Sequence, residues 1–422
     1  MTIETAPPTP PLGGAAAHLH RMTSSLREVP LETTLSRAEA LAGKLGITRV
    51  TDTTWLDCIG IPIFASIRPG ATPGSLCVNA GKGVREAEAR VGAYMEAIEF
   101  AYAEYGRRNI DVVATTPRAV AAQPDAGFEF VDLCPVLQVP VELDGPIDCV
   151  EAEDMISGNR ILVPAELVFS PFLENRGQQI FGTSTNGLCS GNSIREATLH
   201  GLCEVIERDV QSFNYFRDSS RWVVVDDDLS DLADLLRRTE GAGLQGAVRY
   251  TASRYGLPYF QGFIMEPSDD APIAISSGNG LHIVRDIAAV RGLSEAAQSR
   301  LSYIHGGRDD LTSRFEYFSG QDRRAERQAT ASLRARVLDR TDALPYSSIP
   351  DRSGEVSSID GAIELLVDAL RREGVGQVLR VLLSEPAADL AVVRVIVPKL
   401  EFFQPTLKRV GPRLARFVGA SR

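Results

Sequence analysis

Apolar residues recur at a 3.6-residue period in three long stretches of the chain, and each stretch sets charged side chains on the face opposite the greasy one. Positions 84–105 hold one glycine and no proline. Val91, Tyr94, Met95, Ile98 and Tyr102 form one side and Ala89, Gly92, Glu96, Glu99 and Ala103 the other, the pattern of an amphipathic helix. Positions 193–216 and 286–304 predict two more long helices, and 30–46 and 359–372 two shorter ones. Alternating or β-branched runs at 47–50, 61–67, 76–78, 128–133, 147–152, 160–163, 248–251, 259–265, 273–276, 377–382 and 392–397 predict strands, with a helix-poor tail after them. Strands and helices arrive in runs without βαβ alternation, so the expected fold class is α+β, with mixed β-sheets and long carboxylate-bearing helices. The first 25 residues, with Pro7, Pro8, Pro10, Pro11 and an Ala/Gly run, are too poor in large apolar groups to offset their ordering entropy. They read as a disordered tail before a single large domain at 26–422.

Composition narrows the function classes. No stretch approaches the ~18–20 apolar residues of a membrane helix, and no basic start followed by an apolar block marks a secretory signal. A cytoplasmic protein without a membrane partner is expected. The net charge of −11 over 422 residues argues against a nucleic-acid partner and leaves room for cation-dependent chemistry. Cys58, Cys77, Cys134, Cys149, Cys189 and Cys203 form no CxxC pair and no Cys/His cluster, so they read as buried thiols rather than a zinc site or a disulfide framework.

The Walker A, GxGxxG, kinase, GxSxG and HExxH signatures are all missing from the sequence. What stands out is the placement of carboxylates. At 100° per residue, Glu196, His200, Glu204 and Glu207 fall within an arc of about 80°, opposite Leu199, Leu202, Val205 and Ile206. A solvated face interleaves basic residues four positions after its acids; on this stripe only Arg208, after Glu204, does so. Glu96 and Glu99, set among small residues, repeat the feature. Brought together, five such carboxylates repel one another unless cations fill the space, and Mg²⁺ suits hard oxygen ligands. The polar run 183–192, with Ser184, Asn186 and Asn192, leads into a helix N-terminus, where anions are favoured. Gly81-Lys82-Gly83 places one of only four lysines just before the first carboxylate helix. Each feature also has a plainer reading: a capped turn, a glycine turn with an incidental lysine, and surface ion pairs for Arg291, Glu295, Gln298, Arg300 and Arg308.

The run from Ser184 to Asn192, followed by Glu196-Ala197 and Glu204-Val205-Ile206-Glu207-Arg208-Asp209, resembles the hallmark of YcaO-domain proteins, and Glu96-Ala97-Ile98-Glu99 resembles their paired-glutamate motif. Blocks at 46–50, 60–63, 81–83, 163–168, 291–300 and 393–398 extend the resemblance over about residues 30–405. It implies a YcaO-type fold with ATP and Mg²⁺ as cofactors. In such enzymes a peptide backbone amide oxygen is phosphorylated and then replaced by a nucleophile. Carried over by motif, Glu96, Glu99, Glu196, Glu204 and Glu207 are implied as the magnesium and nucleotide shell. Asn192 and Arg208 are implied as phosphate contacts and Arg291 as the distal arginine. Lys82, Ser184 and Asn186 join them as candidate nucleotide contacts. Arg208 and Arg291 are assigned to catalysis, stabilising phosphate charge with a planar five-donor group.

Three departures from the family pattern stand out. Gly92 replaces a frequent Ser, Cys189 a usual Ala or Ser, and Lys399 a common Gly. The N-terminal blocks and Gly-Lys-Gly are similar to the branch encoded beside TfuA proteins, which implies thioamidation of a peptide with a TfuA-like partner. The sulfur is expected from outside, because no cysteine here has a sulfur carrier's setting. Positions 418–422 carry no PxPxP pattern, unlike many azoline formers. Azoline-forming cyclodehydration of a ribosomally made peptide and a non-catalytic nucleotide-binding scaffold stand as alternatives, and a homodimer is left open.

Overall fold

The computed structural model describes residues 19–308, 311 and 323–420. In chain order, a hairpin of β1 (His20–Arg21) and β2 (Leu26–Arg27) precedes α1 (Leu31–Ala42). Strands β3 (Arg49–Asp52), β4 (Ile63–Ile67) and β5 (Val78–Lys82) then lead into α2 (Glu86–Ala103). Next come β6 (Val113–Thr115), α3 (Pro117–Ala121), β7 (Ile147–Asp154), β8 (Arg160–Pro164), β9 (Leu188–Gly191) and α4 (Ile194–Phe216). The chain continues through β10 (Arg221–Val224), α5 (Asp231–Gly241), β11 (Gln245–Ala252), β12 (Pro258–Met265), β13 (Ile275–Leu281) and α6 (Arg285–His305). It closes with α7 (Arg323–Val337), β14 (Leu344–Pro345), α8 (Ile359–Arg372), β15 (Leu379–Leu382), β16 (Ala391–Ile396) and α9 (Pro412–Gly419).

Among the described residues the strands form four sheets, and the α+β expectation holds. The order is β3-β4-β5 in one, β13-β12-β11-β10-β14 in a second and β6-β7-β15-β16-β9 in a third, with β8 on β7. The β1-β2 hairpin is the fourth. Two expectations on secondary structure are corrected. Positions 128–133 are not a strand: Phe130–Leu133 is a 3₁₀ turn, closed by a reciprocal capping box between Glu129 and Asp132. The tail after β16 contains helix α9. The first strand of the hairpin falls inside the expected N-terminal tail, where Thr23 and Ser25 are buried; positions 1–18 lie outside the described residues.

Each of the three long helices lies on a different sheet, and small residues let it lie close. A Cβ built on Gly81 in β5 would stand 2.1 Å from both Ala89 O and Ala93 N of α2. On Gly191 in β9 it would stand 2.4 Å from Ala197 N of α4, and on Gly280 in β13, 2.0 Å from Ala288 O of α6. Such approaches leave no room for any side chain at these positions. The apolar stripe of α4, Leu199, Leu202, Val205 and Ile206, is fully buried, each side chain contributing roughly 1.5–3 kcal/mol. Its N-terminus is capped by Ser193 Oγ, which accepts from Glu196 N at 3.1 Å. The convergence of α2, α4 and α6 defines the site.

Candidate active site

A cavity of about 510 Å³ lies between the three helices. Its wall carries the carboxylates Glu88, Glu96, Glu99, Glu204, Glu207 and Glu295 and the cations Arg27, Lys82, Arg208, Arg291 and Arg308. The opposed stripes expected on α2 and α4 thus face one another across a shared space. Along α6 the wall runs from Arg291 to Tyr303, about 18 Å at 1.5 Å per residue.

The charges are unevenly answered. Lys82 Nζ donates to Glu295 Oε2 at 3.0 Å and to Gln298 Oε1 at 2.8 Å. Arg208 stands 3.9 Å from Glu207. Among the described residues, no basic nitrogen lies within 4.0 Å of a carboxylate oxygen of Glu96, Glu99 or Glu204, and backbone amides serve them instead. Ala80 N donates to Glu96 at 3.2 Å, Ser190 N and Oγ to Glu99 at 2.8 and 2.6 Å, and Gly187 N to Glu204 at 3.0 Å. Burial pushes Glu99 up to about 8, with Glu96 and Glu204 adding to the shift against the Ser190 hydrogen bond. Burial likewise raises Glu96 and Glu207 from their ordinary value. Glu295 goes the other way: burial would raise it, but Lys82, Arg208 and Arg291 together outweigh that cost. Burial works against the charge on Arg208, yet Glu207, Glu204 and Glu295 hold it more firmly protonated than usual.

These acids fit a hard cation, whose charge would favour the ionised form that burial disfavours in Glu96, Glu99 and Glu207. Among the described residues no three His, Cys, Asp or Glu side chains converge tightly enough to hold an ion by themselves. That suits Mg²⁺, which binds through one or two carboxylates and completes its shell with water and phosphate oxygens.

Several residues singled out in the sequence stand elsewhere. Glu196 is fully buried behind the wall, where it accepts from Arg27 Nη1 and Glu28 N, both at 2.9 Å, and from Asn192 Nδ2 at 3.0 Å. Asn192 Nδ2 also donates to Thr34 Oγ1 at 2.9 Å. Ser184 and Asn186 line a separate cavity of about 40 Å³, while Thr185 between them faces the main one. The run turns here, with Leu188 N donating to Thr185 O at 2.8 Å and Gly187 at φ 76°.

Glu295, Gln298 and Arg308, read in the sequence as surface ion pairs, stand on the wall. Glu295 and Gln298 follow Arg291 at i+4 and i+7, one face of α6; the stripe arithmetic applied to α4 would have found them. Arg308 is the leading counter-charge near Glu96. His282 Nδ1 accepts from Val284 N at 3.0 Å. Its Nε2 is buried without a hydrogen-bond partner among the described residues. Burial, with Arg291 nearby, pushes His282 down to about 3, so it is a neutral hydrogen-bond donor. Cys189 and Cys203 also line the wall, but burial raises both thiols, Cys203 to about 12, which makes them poor nucleophiles.

Comparison with known proteins bears on this site. A family model described as YcaO cyclodehydratase, ATP- and Mg²⁺-binding, matches residues 80–401. An uncharacterized protein of Methanothermobacter thermautotrophicus is 34% identical over 393 residues, covering 91% of this chain and 97% of its own. An uncharacterized protein in the tfuA 3′ region of Rhizobium leguminosarum bv. trifolii is 32% identical over 375 residues, 84% of each chain. Among solved structures, YcaO from Methanopyrus kandleri bound with AMPPCP and Mg²⁺ shares the fold with a TM-score of 0.73 at 24% identity, over 94% of this chain and 98% of that one. A heterocyclase in complex with substrate and cofactor gives 0.70 at 18% identity, over 92% of this chain and 54% of that one. Among the described residues no helix is long and apolar enough to cross a membrane.

Proposed function

The chain belongs to the YcaO family, and from that premise we propose that it uses ATP and Mg²⁺ to activate a peptide backbone amide by O-phosphorylation and then exchanges the amide oxygen for sulfur. The carrying observation is the set of buried, under-neutralised carboxylates facing Arg208, Arg291 and Lys82 across one cavity. Glu96, Glu99, Glu204 and Glu207 would hold Mg²⁺, which when bound neutralises phosphate charge. Glu196 joins that shell only by exchanging the Arg27 guanidinium that now occupies it, and Asn192 moves with it. Arg208 and Arg291 stabilise charge on the transferring phosphoryl group, as planar donors suited to phosphate oxygens. Lys82 is held by Glu295 and Gln298 within reach of a phosphate in the same cavity. Ser184 and Asn186 support the loop that carries Thr185.

In the reaction, the terminal phosphorus of ATP forms a bond to the amide oxygen as its bond to ADP breaks, and the amide nitrogen gives up its proton. Hydrosulfide then adds to the carbon, the C–O bond breaks, phosphate leaves, and a proton returns to nitrogen. Amide, ATP and hydrosulfide thus become thioamide, ADP and phosphate. A relative in a tfuA 3′ region supports thioamidation and a TfuA-like partner. The name of the family model and the heterocyclase among the fold neighbours support a second reading, cyclodehydration at a Cys, Ser or Thr of the peptide with net loss of water.

Calorimetry tests the shared core of both readings. Glu204→Gln and Glu207→Gln remove charge at nearly constant shape and should abolish Mg²⁺-dependent ATP binding without unfolding the chain. Parent-like binding in both variants would place the nucleotide elsewhere. Mass spectrometry separates the two products: sulfur-for-oxygen exchange that requires added sulfide marks thioamidation, and sulfide-independent loss of water marks cyclization.

A further inference from the structure

Aromatic rings gather at the C-terminal end of α4, outside the cavity. The rings of Tyr215, Phe216 and Phe403 stand with centroids 4.8–5.2 Å apart. Beside them Phe213 meets Phe417 of α9 edge-on at 5.2 Å. Tyr215 keeps 56% of its surface in water and Phe216 42%; Phe213, Phe403 and Phe417 are partly exposed. Aromatic side chains dominate the energetics of cores and interfaces, and a contiguous exposed cluster of them marks a surface that something covers.

The charge around the rings says what kind of chain covers them. Arg217 lies over the Phe417 ring at 5.3 Å, and Arg254 and Arg413 lie over Phe213 at 5.0 and 5.2 Å. Arg413 is committed to buried Asp209 at 2.8 Å, and Arg254 stands 3.8 Å from Glu373. Asp218, beside Arg217, faces Arg336 at 3.3 Å. Arg416 is exposed and its Nε donates to Pro412 O at 3.1 Å; among the described residues no carboxylate oxygen lies within 4.0 Å of its basic nitrogens. The local charge also runs against the whole: positions 399–422 hold six Lys or Arg and one acid, Glu401, in a chain of net charge −11. Glu401 is buried and accepts from Gly411 N and Leu414 N, so it does not offset the exposed guanidinium groups. Exposed aromatic rings edged by arginines are the composition that carries most binding energy at polypeptide interfaces. An acidic segment is drawn to this corner while the chain as a whole, being acidic, repels it.

We propose that this corner docks an acidic segment of the peptide substrate, which sets an aromatic or leucine side chain against Tyr215 and Phe216 and carboxylates against Arg217 and Arg416. This rests on the peptide-modifying reading above. The helix that carries the rings also carries Glu204, Glu207 and Arg208, so the distance from the docking corner to the cavity wall is held by one rigid element. Phe216 follows Arg208 by eight residues, about 12 Å at 1.5 Å per residue. A chain held at the corner needs at least about four extended residues, at 3.3–3.6 Å each, to reach Arg208. The docked segment therefore lies four or more residues from the modified amide. Its carboxylates stay clear of Glu204 and Glu207, which would repel them.

Two measurements on the full chain test the docking site. The first uses the fluorescein-labelled, C-amidated hexapeptide Glu-Asp-Leu-Phe-Glu-Asp without nucleotide. Anisotropy should show saturable binding that Tyr215→Ser and Phe216→Ser each weaken about tenfold, the effect of losing one apolar anchor, with AMPPCP affinity unchanged. Arg416→Glu, which serves if the ring variants fail to fold, should weaken the probe at low salt and not at 1 M NaCl, where the Debye length is about 3 Å. Leu229→Ser, at a leucine 96% exposed, should leave it unchanged, and unlabelled Lys-Lys-Leu-Phe-Lys-Lys should not displace it. The second extends the hexapeptide through six glycines to benzoylphenylalanine, at either end. Photolysis should cross-link it within 204–208 or 291–303 in the parent and not in Phe216→Ser. Parent-like probe affinity in both serine variants, displacement by the lysine peptide, or cavity cross-links that persist in Phe216→Ser would overturn the proposal. So would a parent dimer in sedimentation that Phe216→Ser dissociates, because a second copy then covers the rings. Absence of saturable AMPPCP binding in the parent is a different result: it sinks the proposed function, whereas the hexapeptide is read without nucleotide.

Discussion

Alanine at Gly81 adds one methyl group where two main chains already touch. Its Cβ would lie 2.1 Å from Ala89 O, 2.1 Å from Ala93 N and 2.6 Å from Gly92 C, whereas carbon atoms in good contact stand about 3.5–4.0 Å apart. Backbone cannot rotate away as a side chain can, so α2 must lift from β5 by about 1 Å or more, at an overpacking cost of about 1–3 kcal/mol. The same movement displaces Glu96 and Glu99 relative to Lys82 and the Ala80 amide that holds Glu96. Misplacement of positioning groups by about 1 Å costs roughly 100-fold in rate. The expected outcome for Gly81→Ala is a urea midpoint lowered by the equivalent of about 1–3 kcal/mol, together with Mg²⁺-dependent ATP binding weakened at least about tenfold. Gly241→Ala is the control. It sits at the end of α5 with nothing within 4 Å of its added Cβ, and alanine there is neutral or up to about 1 kcal/mol stabilising. Parent-like stability and ATP affinity in Gly81→Ala would refute the claim that this contact sets the carboxylate positions.

Arg208→Lys and Arg291→Lys should depress turnover more than ATP affinity, since ammonium lacks the planar donor set; equal turnover in Arg291→Lys, measured with a verified peptide, would make that residue structural. The buried Arg68–Glu104 pair, 2.6 Å apart, predicts an acid-side loss of stability. Burial would raise Glu104, but Arg68 and the Thr72 amide outweigh it and hold the carboxyl below its ordinary 4.5. The pair's stabilisation is then complete above pH 4.5 and is lost as pH falls through the folded value. The parent's advantage over Glu104→Gln, about 3–5 kcal/mol for removing one partner of a buried pair, should hold from pH 7 to 5 and shrink below that in urea titrations; an advantage independent of pH would refute it. Lys399 adopts φ 75°, a left-handed conformation that strains any residue with a Cβ. Lys399→Gly should hold or raise the urea midpoint, and Lys399→Val should lower it by about 1 kcal/mol.

The long helices were legible because 3.6-residue periodicity persists over many turns. α2, α4 and α6 begin and end within two residues of where the pattern places them. Short elements are decided by local hydrogen bonds that periodicity does not encode. Phe128, Phe130 and Leu133 are buried as a strand would have them, yet the Glu129–Asp132 capping box winds the segment into a 3₁₀ turn. The left-handed Lys399, where the family pattern commonly has glycine, is a case in which the sequence carried a conformational signal in a departure from that pattern.

The site was legible wherever two acids share a helical stripe and illegible wherever the chain returns from afar. Nothing near Glu196 in the sequence indicates that Arg27, 169 residues away, takes its charge. The expectation that all five motif carboxylates face one space therefore treats as equal what the structure divides. Glu196 already has a cation, whereas among the described residues Glu96, Glu99 and Glu204 have only neutral donors: the Ala80 amide, the Ser190 amide and hydroxyl, and the Gly187 amide with the Cys189 thiol. That division carries a physical consequence. A carboxylate paired with an arginine is stable without metal, whereas burial raises Glu96 and Glu99 above their ordinary value, and a nearby cation would favour their charged form. On the proposed function, the demand for Mg²⁺ is strongest between the last two turns of α2 and the middle of α4, where Glu96, Glu99 and Glu204 line the cavity.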